Sequence, residues 1–486
     1  MKVLVSILFF HFLFVACHKP LQSSSLRMKP TAAQQAMIDR KYGLFITFGI
    51  NTYIDKEWSD GSHHASNYQP PADMAEKAEE WVKIAQEAGM RSVLLTTKHH
   101  DGFCLWDSEY TDHDIANPEI KYKVDIVKAV SDACHKYGLS FTVYYSLWDR
   151  HEATYTDKNK RVYIEFMKNQ LKELFSNYGK VGELWFDGAW DREVANWYLP
   201  EVYDFVKSMQ PDCQISTNWT IGKRPVDMRE GDTIAYYPAD FRLWDPHLPM
   251  ENDPKIYTYE GKEYYLPFEC TQTMSILGNW YYHDSDTTVR DLEELEEIFY
   301  RTTINDNCLL MNIPPNRNGQ MNLVAVERIK ELGRSLSIEN GKPFPEKLQE
   351  PRSLTSSAIA EASSIYKNDT LHYGSFLTID GDVSTAWKCN ERDGWLVLDL
   401  GKEATFKEVS IIEGKNNIKR FIIEIERDGN WVPVYEGEKL SDENVGSFMG
   451  YGYGRIYLSA PVKTKKVRLS ILESKDIPSI YSIRLK

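Results

Sequence analysis

None of the seven cysteines stands in a CxxC pair, which argues against a zinc ribbon. Apart from Cys17 they are scattered singly, at Cys104, Cys134, Cys213, Cys270, Cys308 and Cys389, and several lie in apolar runs. Buried free thiols are therefore expected rather than a disulfide framework. There is no long block of basic residues, and the net charge is −14. Such a surface repels phosphate backbones, so a nucleic-acid partner is excluded. No apolar run is long enough to span a bilayer; the longest, from Val3 to Ala16, falls short.

That run follows Lys2 and ends in LFVAC. A small Ala16 before Cys17 resembles a bacterial lipoprotein signal, so residues 1–17 read as a signal peptide with Cys17 as the lipidated first mature residue. An ordinary signal peptide cut near Ala16 is the alternative. Either reading makes the protein exported: periplasmic, or a cell-envelope lipoprotein whose membrane contact runs only through a lipid on Cys17.

Aromatic residues, by contrast, are abundant at 13%. Ring faces stack well on the C–H faces of sugars, although a large aromatic core would look the same in composition. Between residues 30 and 340, eight short apolar runs alternate with amphipathic stretches. The runs cover 43–50, 92–100, 140–148, 182–188, 213–219, 232–238, 264–272 and 308–315. Their hydrophobicity is continuous rather than alternating, as in parallel strands buried on both faces. Helical periods occupy 72–89, 124–138, 161–179, 198–211 and 292–303, the first three ending in Gly. This alternation predicts an α/β fold, a (β/α)8 barrel over 30–340, with a long irregular insert at 238–255. Residues 341–353 read as a Pro-rich linker. From 354 to 486 short strands recur without helices, with an Asp-Gly hairpin signal at 427–430, and predict a β-sandwich.

In such barrels chemistry sits at the C-terminal strand ends, and five of those ends are rich in polar and aromatic residues. Asp187 closes a strand between Trp185 and Trp190, a setting that suits a carboxylate nucleophile or base as well as a plain turn cap. Adjacent His99 and His100 point opposite ways if still extended, so one can face the pocket while the other braces the barrel. Paired histidines rarely chelate one ion together, so hydrogen bonds to sugar hydroxyls are the expected use. Glu57 and Trp58 follow the first strand and could hold vicinal hydroxyls and a ring face. Tyr145 and Trp148 follow the third. Glycoside hydrolysis needs a second carboxyl. Glu230, Asp240, Asp245, Glu251 and Glu269 are candidates, with Glu269 assigned to a strand end.

The motifs KYGLFITFGINTY…EW, TTKHHDGFCLW, YYSLWDRH, ELWFDG and LLMNIPPNRNG, in this order over residues 35–335, resemble family 29 glycoside hydrolases, the retaining α-L-fucosidases. The NTY…EW form resembles the branch that prefers α-1,3/1,4-linked fucose. The resemblance implies double displacement on fucosylated oligosaccharides or glycoconjugates, with no catalytic cofactor. It implies Asp187 as nucleophile, Glu57, Trp58, His99 and His100 as sugar-holding residues, and Tyr145 and Trp185 beside the nucleophile. It leaves the acid/base open among Glu269, Glu230 and Glu251. Thr47 stands where many members carry a pocket histidine, which opens two alternatives: the same mechanism on another sugar such as α-L-galactose, or a glycan-binding lipoprotein with weak catalysis. IDGDVSTAW, GWLVLDLG and VRLSIL resemble discoidin-like (factor 5/8 type C) domains. That resemblance implies a carbohydrate-binding module or a packing module, and a structural calcium on a loop carrying Asp380 and Asp382.

Overall fold

The computed structural model describes residues 28–222, 231–249, 253–345, 354–355, 357–415, 417–441 and 450–486. The signal-peptide reading, Cys17 included, lies outside these residues. The first unit contains β1 (Tyr42–Ile46), β2 (Ser92–Lys98), β3 (Ser140–Ser146), β4 (Val181–Asp187), β5 (Gln214–Thr217) and β6 (Arg242–Leu243). A hairpin of β7 (Ile256–Tyr259) and β8 (Lys262–Tyr265) precedes β9 (Phe268–Thr273) and β10 (Cys308–Asn312). Eight of these form one parallel sheet in the order β5-β4-β3-β2-β1-β10-β9-β6. The edges β5 and β6 meet through Asp240 N–H donating to the Ile215 carbonyl at 2.8 Å and Ser216 Oγ to the Phe241 carbonyl at 2.6 Å. The sheet is thus a nearly closed barrel.

Every residue of β1, β2 and β10 is buried, as the unbroken apolar runs require. Phe45, Leu94, Tyr144, Trp185, Leu243 and Leu310 form a separate cluster of buried side chains drawn from six strands of the barrel. The helix α1 (Ala32–Arg40) precedes β1, and α2 (Ile50–Ile54), α3 (Met74–Glu87), α4 (Ile126–Tyr137), α5 (Lys160–Asn177), α6 (Leu199–Met209), α7 (Leu292–Thr303) and α8 (Leu323–Ser335) lie between or after the strands. Asp125 caps α4 by accepting from Lys128 N–H, and Gly138 ends it at φ 73°, the left-handed turn that favours glycine.

Two expectations need correction. The run at 232–238 is not the sixth strand: it makes only isolated bridges, Ile221 to Ile234 and Thr233 to Thr258. The strand that completes the barrel is the two-residue β6, too short to leave a period in the sequence. The run at 264–272 joins the end of the β7–β8 hairpin to β9, so its true strand begins four residues later.

The second unit is antiparallel. It contains β11 (Ile359–Ala362), β12 (Trp387–Lys388), β13 (Gly394–Gly414), β14 (Ile418–Arg427), β15 (Asn430–Gly437), β16 (Tyr451–Ser474) and β17 (Ser479–Leu485), with β13 and β16 as its long central pair. Register shifts after Asp399 and Phe406 bend that pair, so one half of β13 pairs with β11 and the other with β17. Asp428 and Gly429 turn the β14–β15 hairpin at φ 50° and 76°, as the Asp-Gly pair predicts.

The two units are joined at the barrel rim. Leu248 N–H donates to Asp382 Oδ2 at 3.0 Å, Ser384 Oγ lies 2.6 Å from His247 Nδ1, and Arg484 pairs with Glu297 at 2.8 Å. Ile276, Val383, Ile412 and Tyr451 make an apolar patch between them. The six described cysteines are free and buried. Among the described residues no helix is long and apolar enough to cross a membrane.

Candidate active site

Parallel strands deliver their last residues to one rim. Asp187 is the last residue of β4 and is only 6% exposed. Tyr144 Oη donates to its Oδ2 at 2.7 Å and Asn218 Nδ2 donates to its Oδ1 at 3.0 Å. His100 Nε2 stands 3.7 Å from Oδ2. These contacts fix the carboxylate in one orientation at the edge of a pocket of about 610 Å³ of atom-free space, mouth included. Trp58, Trp185, Trp190 and Trp280 supply aromatic walls, and Thr47, Glu57, His99 and Asp245 supply polar ones. Aromatic walls with a few convergent polar groups are the composition of a saccharide site.

The histidine pair divides as extended geometry suggests. His99 lines the pocket and lies 5.8 Å from the Tyr144 ring at 17°. His100 is 1% exposed, with Nδ1 2.6 Å from Ser146 Oγ. Glu57 borders the pocket while its oxygens accept from the Trp280 and Tyr281 N–H groups at 3.1 and 2.9 Å and meet His283 Nε2 at 2.9 Å. Burial pushes the Glu57 pKa up, opposed by the His283 bond. Burial also acts to lower the His283 pKa, but its bonds to Glu57 and Asp55 more than reverse this. Glu57 thereby anchors the loop that carries Trp280. Trp58 meets His100 edge-on at 5.4 Å. Thr47 Oγ1 accepts from Asn312 Nδ2 at 2.6 Å, which turns its hydroxyl toward β10.

Three sequence expectations do not hold. Tyr145 is not at the pocket. Its hydroxyl donates to Gln170 Oε1 at 2.6 Å, and Lys98 Nζ lies 4.3 Å from its ring on the outer face of the barrel wall. Successive side chains on a strand alternate, and Tyr144, not Tyr145, is in register with Trp185, so Tyr144 takes the pocket position. Glu269 is the second residue of β9, at the end of the barrel opposite Asp187. There it is 2% exposed beside Glu183, which Arg40 ion-pairs. Burial and the Glu183 carboxylate hold its pKa well above the usual range, so it is no rim acid. Asp240 is likewise structural: Ile215 N–H and Tyr203 Oη both donate to it at 2.8 Å. Glu230 and Glu251 lie outside the described residues.

Asp245 is the acid that does reach the pocket. Asn218 Nδ2 also donates to Asp245 Oδ1, so one buried amide holds both carboxylates. Asn218, Tyr144 and Trp280 went unmarked in the sequence. Alternation from Trp185 could have found Tyr144, and STNW contained Asn218. Asp380 accepts from Asp382 N–H at 2.9 Å and Thr385 Oγ1 at 2.8 Å, and Asp382 accepts from Ser384 N–H at 2.9 Å as well as from Leu248. Among the described residues no group of three or more His, Cys, Asp or Glu side chains is arranged to hold a metal ion.

A family profile described as alpha-L-fucosidase matches residues 18–342, about two thirds of the chain. The chain belongs to the alpha-L-fucosidase family. It is a glycoside hydrolase whose barrel is followed by an F5/8 type C domain matched over 359–484. Over 472 residues this alpha-L-fucosidase family member is 27% identical to Alpha-L-fucosidase 1 of Arabidopsis thaliana, covering 91% of this chain and 88% of the relative. It is 27% identical over 280 residues to the human plasma alpha-L-fucosidase, covering 55% of each. The solved structure of a putative alpha-L-fucosidase from Bacteroides thetaiotaomicron overlays with a TM-score of 0.53 at 26% identity, covering 94% of this chain and 97% of that one.

Proposed function

We propose that the chain removes terminal α-L-fucose, α-1,3/1,4-linked, from fucosylated oligosaccharides or glycoconjugates by double displacement with retention. The supporting observation is that one amide, Asn218, donates to both carboxylates and so sets them side by side at the pocket, as a retaining pair roughly 5–5.5 Å apart requires. Asp187 attacks the anomeric carbon and forms the C–O bond of a glycosyl-enzyme. Asp245 delivers its proton to the departing glycosidic oxygen. Water then enters, Asp245 takes its proton, and the hydroxide displaces Asp187 to give fucose of the original configuration. Tyr144 and Asn218 hold Asp187 in line, and His99 with Trp58 grips the sugar. We also propose export with a lipid on Cys17. The test for that is metabolic acyl labelling, which Cys17→Ala should abolish.

The decisive experiment is Asp187→Ala. Turnover of an aryl α-L-fucoside should collapse with the fold intact, and azide should restore it by forming the inverted fucosyl azide in the vacated space. Full activity in that variant would refute the assignment. Thr47 favours one second reading. Its side chain is short and hydrogen-bonded away to Asn312, which leaves room for the hydroxymethyl that an α-L-galactoside carries in place of fucose's methyl. Parallel hydrolysis of the two aryl glycosides separates the readings.

A further inference from the structure

A second cleft opens where the barrel meets the C-terminal domain, with about 1440 Å³ of atom-free space, open side included. Trp219, Trp244 and His247 line its barrel wall, and Tyr366, Tyr373 and Tyr481 the opposite wall. Trp244 stacks on His247 at 3.6 Å and meets Trp219 edge-on at 5.7 Å. Tyr366 and Tyr373 meet at 89°, and Lys388 Nζ stands 4.2 Å from the Tyr366 ring. Ser384, Asn417 and Asp476 place polar groups among these rings. Broad aromatic surfaces with hydroxyl, amide and charged ends suit a ligand that is apolar on its faces and hydroxylated at its rim. Lys388 and Lys415 stand against Asp476 in the lining, so charge does not choose the ligand here, whereas the density of rings favours one that stacks.

Two further observations point to a ligand. Trp244 is 4% exposed, and its buried Nε1–H finds no acceptor among the described residues. An unmet buried donor is costly, and a ligand hydroxyl that reached it would relieve that cost. Trp219 adopts φ +65°, a strained backbone for a bulky residue and one that clusters at ligand sites. The cleft is also contiguous with the pocket along the chain. In the segment 244–247, Trp244 and His247 line the cleft while Asp245 and Pro246 line the pocket. Asn218 holds Asp187, and the next residue, Trp219, lines the cleft.

We propose that this cleft binds the neutral oligosaccharide beyond the scissile bond, in a site built jointly by the barrel and the C-terminal domain. The delivery of that oligosaccharide to Asp187 rests on the glycosidase reading above; the binding itself does not. The test uses the full chain carrying Tyr366→Ala and Tyr373→Ala together, two residues remote from Asp187. Kinetics are measured on an aryl α-L-fucoside and on a neutral oligosaccharide bearing one terminal α-L-fucose. The same oligosaccharide without its fucose is titrated calorimetrically. The expected result is unchanged aryl kinetics, an oligosaccharide KM raised about tenfold, and product binding weakened to match. Equal oligosaccharide KM and equal product affinity in wild type and variant would overturn the proposal, as would absence of product binding to the wild type. If no fucoside is cleaved by the wild type, the glycosidase reading fails while the titration still decides the cleft. Lys388→Met replaces the double variant if that variant does not fold, with the same expectations.

Discussion

In the proposed mechanism Asn218 is the pivotal residue, because its single amide nitrogen reaches both Asp187 and Asp245. If Asp245 is the proton donor, Asp245→Ala should slow cleavage of oligosaccharide fucosides by about 10²–10⁴-fold. Aryl fucosides with acidic leaving groups should suffer far less in bond cleavage, and azide should yield the fucosyl azide of retained configuration. The inverted product, or equal loss on both substrates, would move the acid elsewhere. Tyr144→Phe tests the support of the proposed nucleophile separately. It keeps the ring 5.1 Å from Trp185 and removes only the hydroxyl that donates to Oδ2. A hydrogen bond to a charged group is worth about 1.5–3 kcal/mol, so kcat/KM should fall about ten- to a hundredfold with unchanged thermal stability. The sequence made Asp187, His99, Glu57, Trp58 and Trp185 legible as rim residues because a strand end is local. It did not reveal which of Tyr144 and Tyr145 faces inward, since both continue the same apolar run. It also hid the pairing of Asp187 with Asp245, which a crossover of fifty-odd residues brings together.

At the scale of elements, the long barrel strands were readable because burial on both faces leaves an unmistakable apolar run. β6 was not, because a two-residue strand carries no period. The misplacement of Glu269 has the same origin: the run at 264–272 merged a hairpin strand with β9, and the acid shifted from one end of the barrel to the other. Its true place yields a stability prediction. Glu269 is buried beside Glu183, and burial with that neighbouring carboxylate holds the Glu269 pKa well above its usual value. Because the folded pKa of Glu269 is raised, the folded chain binds more protons than the unfolded one above about pH 4.3. Stability from this group therefore declines as pH climbs from there toward the folded pKa. Glu269→Gln keeps an N–H for Glu183 and removes the titration. Its melting temperature should gain on wild type as pH is raised from 5 to 8, with kcat unchanged. A collapse of kcat in the folded variant would restore Glu269 to the reaction.

At the scale of the whole molecule, the C-terminal domain directly reaches the segment that carries Asp245. Asp382 is 7% exposed and accepts the Leu248 N–H, and His247 lies 3.4 Å from the same Oδ2. Burial acts against the charge on Asp382, and His247 with the Ser384 donors more than offsets it, so its pKa is held low. That segment begins with Trp244 and Asp245, so a contact made by the second domain fixes the chain three residues from the proposed acid. No sequence period could announce this, since 134 residues separate the two partners. Asp382→Ala leaves a buried N–H unmet, a loss of about 1–3 kcal/mol and a few degrees of melting temperature. If the contact also aims Asp245, kcat on the oligosaccharide should fall several-fold while KM for an aryl fucoside holds. Asp382→Asn, which keeps an oxygen for Leu248, should recover much of that rate. A lowered melting temperature with kcat unchanged would reduce the interface to mechanical attachment. A joint fall in melting temperature and kcat, reversed together by asparagine, would make the C-terminal domain part of the catalytic architecture.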